Sequence, residues 1–198
     1  MMKRLSAFCC LVGLAIASPA NALVTIDSTI AGQVFMDDVD LVTGGQVNGD
    51  LGLNGFDLTV NILDGVITGN LGILNGEGHT INVLGGSIGN DITLNGIDHV
   101  VNIEGGSFGG EFFTNGFTTT VNIFGYGLSV SGDFDIVGAT VSGFLADGTA
   151  INSLFRSNGS EHTLNLINVS VPEPGMLSLL GFGVLALLVV ARRRRRPT

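Results

Sequence analysis

The chain has 198 residues, 31 of them glycine and none tryptophan, and its 17 acidic and 8 basic side chains give a formal charge of −9. An acidic balance of this kind repels nucleic acid, and polyanionic glycans too unless divalent cations intervene, so no nucleic-acid partner is expected. With two cysteines and abundant Val, Ile and Leu, the chain fits neither a disulfide-stapled scaffold nor a disordered one.

Residues 1–22 read as a secretory signal peptide. Lys3 and Arg4 form a charged start, Leu5 to Ala17 an apolar stretch, and Ala20-Asn21-Ala22 an A-x-A site in which Ala20 and Ala22 suit signal peptidase. The mature chain then begins at Leu23. Cys9 and Cys10 leave with the signal, so the exported protein has no thiol, disulfide or Cys-ligated metal site. Lys3 and Arg4 at one end and Arg192 to Arg196 at the other account for seven of the eight basic residues. Residues 23–171 therefore hold Arg156 alone against sixteen acids, a charge of about −15.

The middle of the chain is a repeat. Val60-Asn61-Ile62 returns as Ile81-Asn82-Val83, Val101-Asn102-Ile103 and Val121-Asn122-Ile123. Leu53-Asn54-Gly55 keeps step with it as Leu74-Asn75-Gly76, Leu94-Asn95-Gly96 and Thr114-Asn115-Gly116, and Gly-Gly pairs mark a third position at Gly44, Gly85 and Gly105. The runs between these corners are short and β-branched, which favours strands over helices. A period near twenty predicts an all-β fold, a parallel β-helix (β-solenoid) of about five 20–21-residue coils over residues 39–137. Leucine-rich repeats share the length but need a leucine ladder and a helical return, which these glycine-rich units lack. A sandwich of short hairpins remains the alternative, because Asn-Gly also marks hairpin turns.

Strand alternation turns Val60 and Ile62 inward with their counterparts and Thr59 and Asn61 outward. Phase is lost after Tyr126. Residues 138–170 are expected to cap the last coil and residues 23–38 the first.

Stacked coils turn a twenty-residue spacing into contact, so candidate sites are columns. Thr59 and Asn61, Thr80 and Asn82, Asn102, and Thr120 and Asn122 form a hydroxyl and amide face. It is either a structural amide ladder or a surface for a regular ligand such as exopolysaccharide. Asp50, Asp91 and Glu111 share a column by their distance to the next Asn-Gly. Solvated turn acids are the plain reading. Calcium, bound through these carboxylates, is the cofactor alternative, and a glycosidase-like carboxylate pair at Asp91 and Glu111 is the catalytic one. No cofactor is otherwise implied. His79 and His99 share another column and read as surface-turn residues rather than metal ligands. A nucleophile cannot be assembled without mature Cys or Lys, so the chain is not expected to be an enzyme.

The end of the chain is the most specific part. Pro172-Glu173-Pro174 abuts an uncharged apolar run, residues 175–191, followed by Arg192, Arg193, Arg194, Arg195 and Arg196. Seventeen residues suffice for one short transmembrane helix, and the arginines hold its far end in the cytoplasm. In order and position, residues 171–198 resemble a PEP-CTERM sorting tail, found on exported proteins of Gram-negative, exopolysaccharide-producing bacteria. The resemblance implies recognition by an exosortase-type membrane protease and cleavage near Pro172-Glu173-Pro174. It also implies an inner-membrane-anchored precursor that ends at the cell surface or in the extracellular matrix. The expected function is a structural protein of that surface or matrix. A carbohydrate-binding module using the Thr-x-Asn face is the alternative, and a polysaccharide-acting enzyme the third reading.

Overall fold

A computed structural model describes residues 23–170, except 37, 38, 42, 43 and 160. The expected signal peptide, residues 1–22, and the expected transmembrane run of the sorting tail, residues 175–191, lie outside the described residues. Every element within them is a β-strand, and pairing from turn to turn is parallel, which rules out the hairpin sandwich.

Each regular turn contributes strands to three columns. The first stacks Val24–Ile26, Val39–Leu41, Thr59–Ile62, Thr80–Val83, the second half of Ile92–Ile103, the middle of Phe112–Asp133, and Thr163–Asn168. The second stacks Thr29–Ala31, Gly45–Asn48, Gly65–Ile67, Ser87–Ile88 and Ser107–Phe108. The third runs from Val34–Met36 through Leu51–Phe56 and Leu71–Glu77 to the starts of Ile92–Ile103 and Phe112–Asp133. About four turns are regular, not five. They lie between a shorter opening turn and an interrupted closing one.

The repeated register places the same side chains on the same side in every turn. Val60, Ile62, Ile81, Val83, Val101, Ile103, Val121 and Ile123 all turn inward and are at most 1% exposed. Leu51, Leu71, Ile92 and Phe112 close the core from the third column. Between the third column and the first, the chain bends through a left-handed residue at the same place each time: Asp57, Gly78, Asp98, Thr118 and Glu161, with φ between 55° and 75°. L-residues rarely adopt this conformation, so its recurrence marks the corner as a designed bend.

The coil pairing continues into both end segments. Residues 24–36 already make three parallel strands, a full if shorter turn. Residues 155–168 form a further turn: Phe155–Ser157 lies on Phe112–Thr114, and Thr163–Asn168 on Thr120–Gly125. The offset is 43 residues instead of 20, because an antiparallel meander through Gly138–Leu145 and Ala150–Ser157 is inserted. The turns at the ends of this meander provide the cover. Asp147 accepts the Gly106 N–H at 2.9 Å, and the Asp135 carbonyl accepts the Ser157 N–H at 2.8 Å.

Glycine at the Asn-Gly corner is required by the coil spacing. A Cβ on Gly116 would run into the carbonyl oxygen of Gly96 one turn below, a backbone atom with nowhere to move, whereas one on Gly72 meets Thr93 O at an ordinary 3.6 Å. Gly116→Ala should therefore lower stability by about 1–3 kcal/mol or more, and Gly72→Ala should stay within about 0.5 kcal/mol. Denaturant unfolding of the two variants beside the parent measures this.

Candidate functional site

The outward columns hold the side chains that could carry function. In the first column Asn82 Nδ2 donates to Asn61 Oδ1 at 2.8 Å, Asn102 to Asn82 at 2.8 Å, Asn122 to Asn102 at 2.9 Å, and Asn165 to Asn122 at 2.9 Å. The ladder thus steps over the meander into the closing turn. One amide proton and one carbonyl lone pair of Asn82, Asn102 and Asn122 are used along the stack, and the ladder does not use the second proton of these three amides. Thr59, Thr80 and Thr120 flank the ladder half-buried, but Val100 takes their place in one turn, so the hydroxyl row is interrupted.

The acidic column contains a residue that spacing did not reveal. Asn70 stands between Asp50 and Asp91. Asp50 Oδ1 accepts the Asn70 backbone N–H at 2.7 Å and its Nδ2 at 3.0 Å. Asn70 Oδ1 accepts the Asp91 N–H at 3.2 Å, and Asp91 Oδ1 accepts the Glu111 N–H at 2.8 Å. Each side chain therefore caps the backbone of the turn above it. The column ends on Arg156, whose Nη1 donates to both Glu111 oxygens at 3.1 Å while its guanidinium lies 5.6 Å over the Phe113 ring. Arg156, the single Lys or Arg of residues 23–171, thus meets the last acid of the column. Among the described residues, no three His, Cys, Asp or Glu side chains converge as a metal site.

The histidines are not on the surface. His79 and His99 are 0% and 1% exposed, with rings stacked at 5.2 Å and 9°. They follow the left-handed bend in their turns, as Leu58, Thr119 and His162 do in theirs. His79 Nδ1 accepts the Leu58 N–H at 3.1 Å, His99 Nδ1 the His79 N–H at 3.3 Å, and His162 Nδ1 the Thr119 N–H at 3.1 Å. Each ring replaces a backbone bond that the bend would leave unmade. Acceptance at Nδ1 puts the ring proton on Nε2, which in His99 faces the Asn95 carbonyl at 3.3 Å and in His79 and His162 has no partner at hydrogen-bonding distance and angle among the described residues. The glycine of Asn-Gly makes room for these rings, since a Cβ on Gly96 would press on His99 Nε2 at 2.9 Å. Alternation had carried the signal: His79 lies two residues before the inward Ile81, as Leu58 does before Val60.

Burial is the main cause that lowers the pKa of all three histidines from 6.5, with Asp57 opposing it at His79 and the Asn95 carbonyl at His99. A group whose folded pKa lies below its unfolded one is held unprotonated by folding, so the unfolded state binds more protons as pH falls. The stabilisation is complete above 6.5 and declines below it. Thermal melts from pH 8 to 5 should show the melting temperature falling below about pH 6.5. His99→Thr, which copies Thr119 of the next turn, should flatten that decline.

Residues 170–196 match the family model of the PEP-CTERM protein-sorting motif, the stretch that includes Pro172, Glu173 and Pro174 and the five arginines. No curated protein and no solved structure matches the chain. The chain carries this sorting motif at its C-terminal end. Such a motif addresses an exported, membrane-anchored precursor to an exosortase-type protease.

Proposed function

We propose that the mature protein is a structural component of the cell surface or extracellular matrix, delivered by the sorting tail and released from it near Pro172-Glu173-Pro174. The observation that carries this reading is how the polar columns are used. The Asn amides bond one another, the acids of the Asp50 column cap backbone N–H groups or pair with Arg156, and the histidines complete the corner. Groups spent on holding coils together are not poised for chemistry. Glu111 already spends both oxygens on Arg156 at 3.1 Å, so it is engaged in a contact between turns and not turned toward an open cleft with Asp91. Signal peptidase and the exosortase-type protease are the processing partners on this reading, with the membrane a temporary one. Calcium is not needed to hold the acidic column, since backbone N–H groups and Arg156 already offset its charge.

A second reading uses the same face. The amide protons that the Asn ladder leaves over, flanked by Thr59, Thr80 and Thr120, repeat every 4.8 Å or so and could meet the hydroxyls of an exopolysaccharide. Such a ligand would be uncharged or bridged by cations.

Mass spectrometry of both ends of the exported protein should give Leu23 as the first residue and a last residue close to Pro172. Replacing Pro172, Glu173 and Pro174 together by alanine should leave the uncut precursor in the membrane fraction. On immobilised exopolysaccharide, the structural reading expects no retention. Retention that disappears in Asn82→Ala/Asn102→Ala, with the fold intact by circular dichroism, would establish the binding reading instead.

A further inference from the structure

Among the described residues, both ends of the first column are edge strands. Val24–Ile26 pairs with Val39–Leu41 on one side, Thr163–Asn168 pairs with Phe112–Asp133 on one side, and neither has a strand on its other side among the described residues. The remaining columns at the C-terminal end are covered. The Asp135 carbonyl takes the Ser157 N–H, Phe134 packs on Phe112 and His162, and Asp147 closes the glycine corner at Gly106. What stays open is a six-residue strand, Thr-Leu-Asn-Leu-Ile-Asn, with no charge and no proline. Its opposite number, Val-Thr-Ile, is equally bare. Soluble proteins normally guard such edges with lysine, proline, a bulge or a covering loop, because a strand with unpaired backbone groups is a template for another chain.

The two edges also fit each other. Following the register from turn to turn, Val24 belongs to the column of Val60, Val121 and Leu164, Thr25 to that of Asn61, Asn122 and Asn165, and Ile26 to that of Ile62, Ile123 and Leu166. A second copy set on the end at the normal coil spacing would place Val24 on Leu164, Thr25 on Asn165 and Ile26 on Leu166. Apolar residues would meet apolar residues, and the Thr25 hydroxyl would extend the amide ladder beyond Asn165.

We propose that the mature protein assembles head to tail, the Val24–Ile26 edge of one copy pairing in parallel with the Thr163–Asn168 edge of the next. The contact joins two different surfaces, so it does not close on itself and produces rods rather than a fixed dimer. The charge of the mature region opposes association at low ionic strength and is screened as salt rises. This inference rests on the export reading, because the first edge is exposed once residues 1–22 are gone.

Sedimentation velocity on the exported protein, with both ends verified by mass, tests it. The parent should sediment as a series of species that grows with concentration and salt. Thr25→Asp/Asn165→Asp stacks two carboxylates at each junction and should weaken association on the order of tenfold or more. Thr25→Lys/Asn165→Asp should restore it, and Val66→Asp, exposed on the middle strand of the second column, should change nothing. Circular dichroism and melting check that each variant folds. A parent that begins at Leu23 and stays monomeric overturns the proposal alone, as does a discrete dimer that does not grow, or a Lys/Asp pair no better than the Asp/Asp pair. A parent that retains residues 1–22 overturns the export reading and the open edge with it.

Discussion

Every turn of this protein must hand its backbone hydrogen bonds to the turn above, in the same register, at a spacing that leaves room for one strand and nothing more. The parallel pairings from Thr59–Ile62 to Thr80–Val83 and on to Ile103 and Ile123 carry that constraint through the molecule. Once they are made, a residue is stacked on its counterpart about twenty positions away, and each side chain meets its own kind or a close substitute. Valine on isoleucine fills the core. Asparagine on asparagine makes a ladder whose every link satisfies a donor and an acceptor. Glycine on glycine is the sole fit where two corners touch, as at Gly96 and Gly116.

The same constraint explains how a strongly acidic chain tolerates its own charge. Stacking would place carboxylates on carboxylates, a repulsive arrangement at coil spacing. Asn70 interrupts the column between Asp50 and Asp91, those two acids each accept a backbone N–H from the turn above, and Arg156 closes the column at Glu111. The ion pair is about one-third exposed and contributes little by itself. Its role is to end a column of like charge. The histidine corner solves a different problem. The left-handed bend breaks the run of strand bonds, and where a histidine follows it, after Gly78, Asp98 and Glu161, the imidazole accepts the N–H left over in the turn below. They do so as neutral rings, which ties the corner to pH.

The parts legible from sequence were those where period and alternation speak together. The inward Val-x-Ile columns, the Asn ladder and the loss of phase after Tyr126 all follow from residues that recur at 20 or 21. What was missed lies where the count changes. Asn158-Gly159 stands on Asn115-Gly116, and Thr163–Asn168 on Thr120–Gly125, but at an offset of 43, so the closing turn looked like a cap. Asn70 belongs to the acidic column without being an acid, so a column defined by carboxylates alone excludes it. The histidines looked superficial because they border a corner, where polarity is expected outside, although their spacing from Ile81 and Val101 already turned them inward.

By itself, the sequence determined the class of fold, the direction of the apolar columns, the acidity of residues 23–171 and the sorting motif that follows them, because each of these is written in local pattern or composition. Tertiary structure alone decided which turns are complete, which polar groups are spent inside the coil and which strand edges remain open. Those outcomes depend on what lies one turn away, and an insertion as long as the meander puts that neighbour beyond the reach of any fixed period.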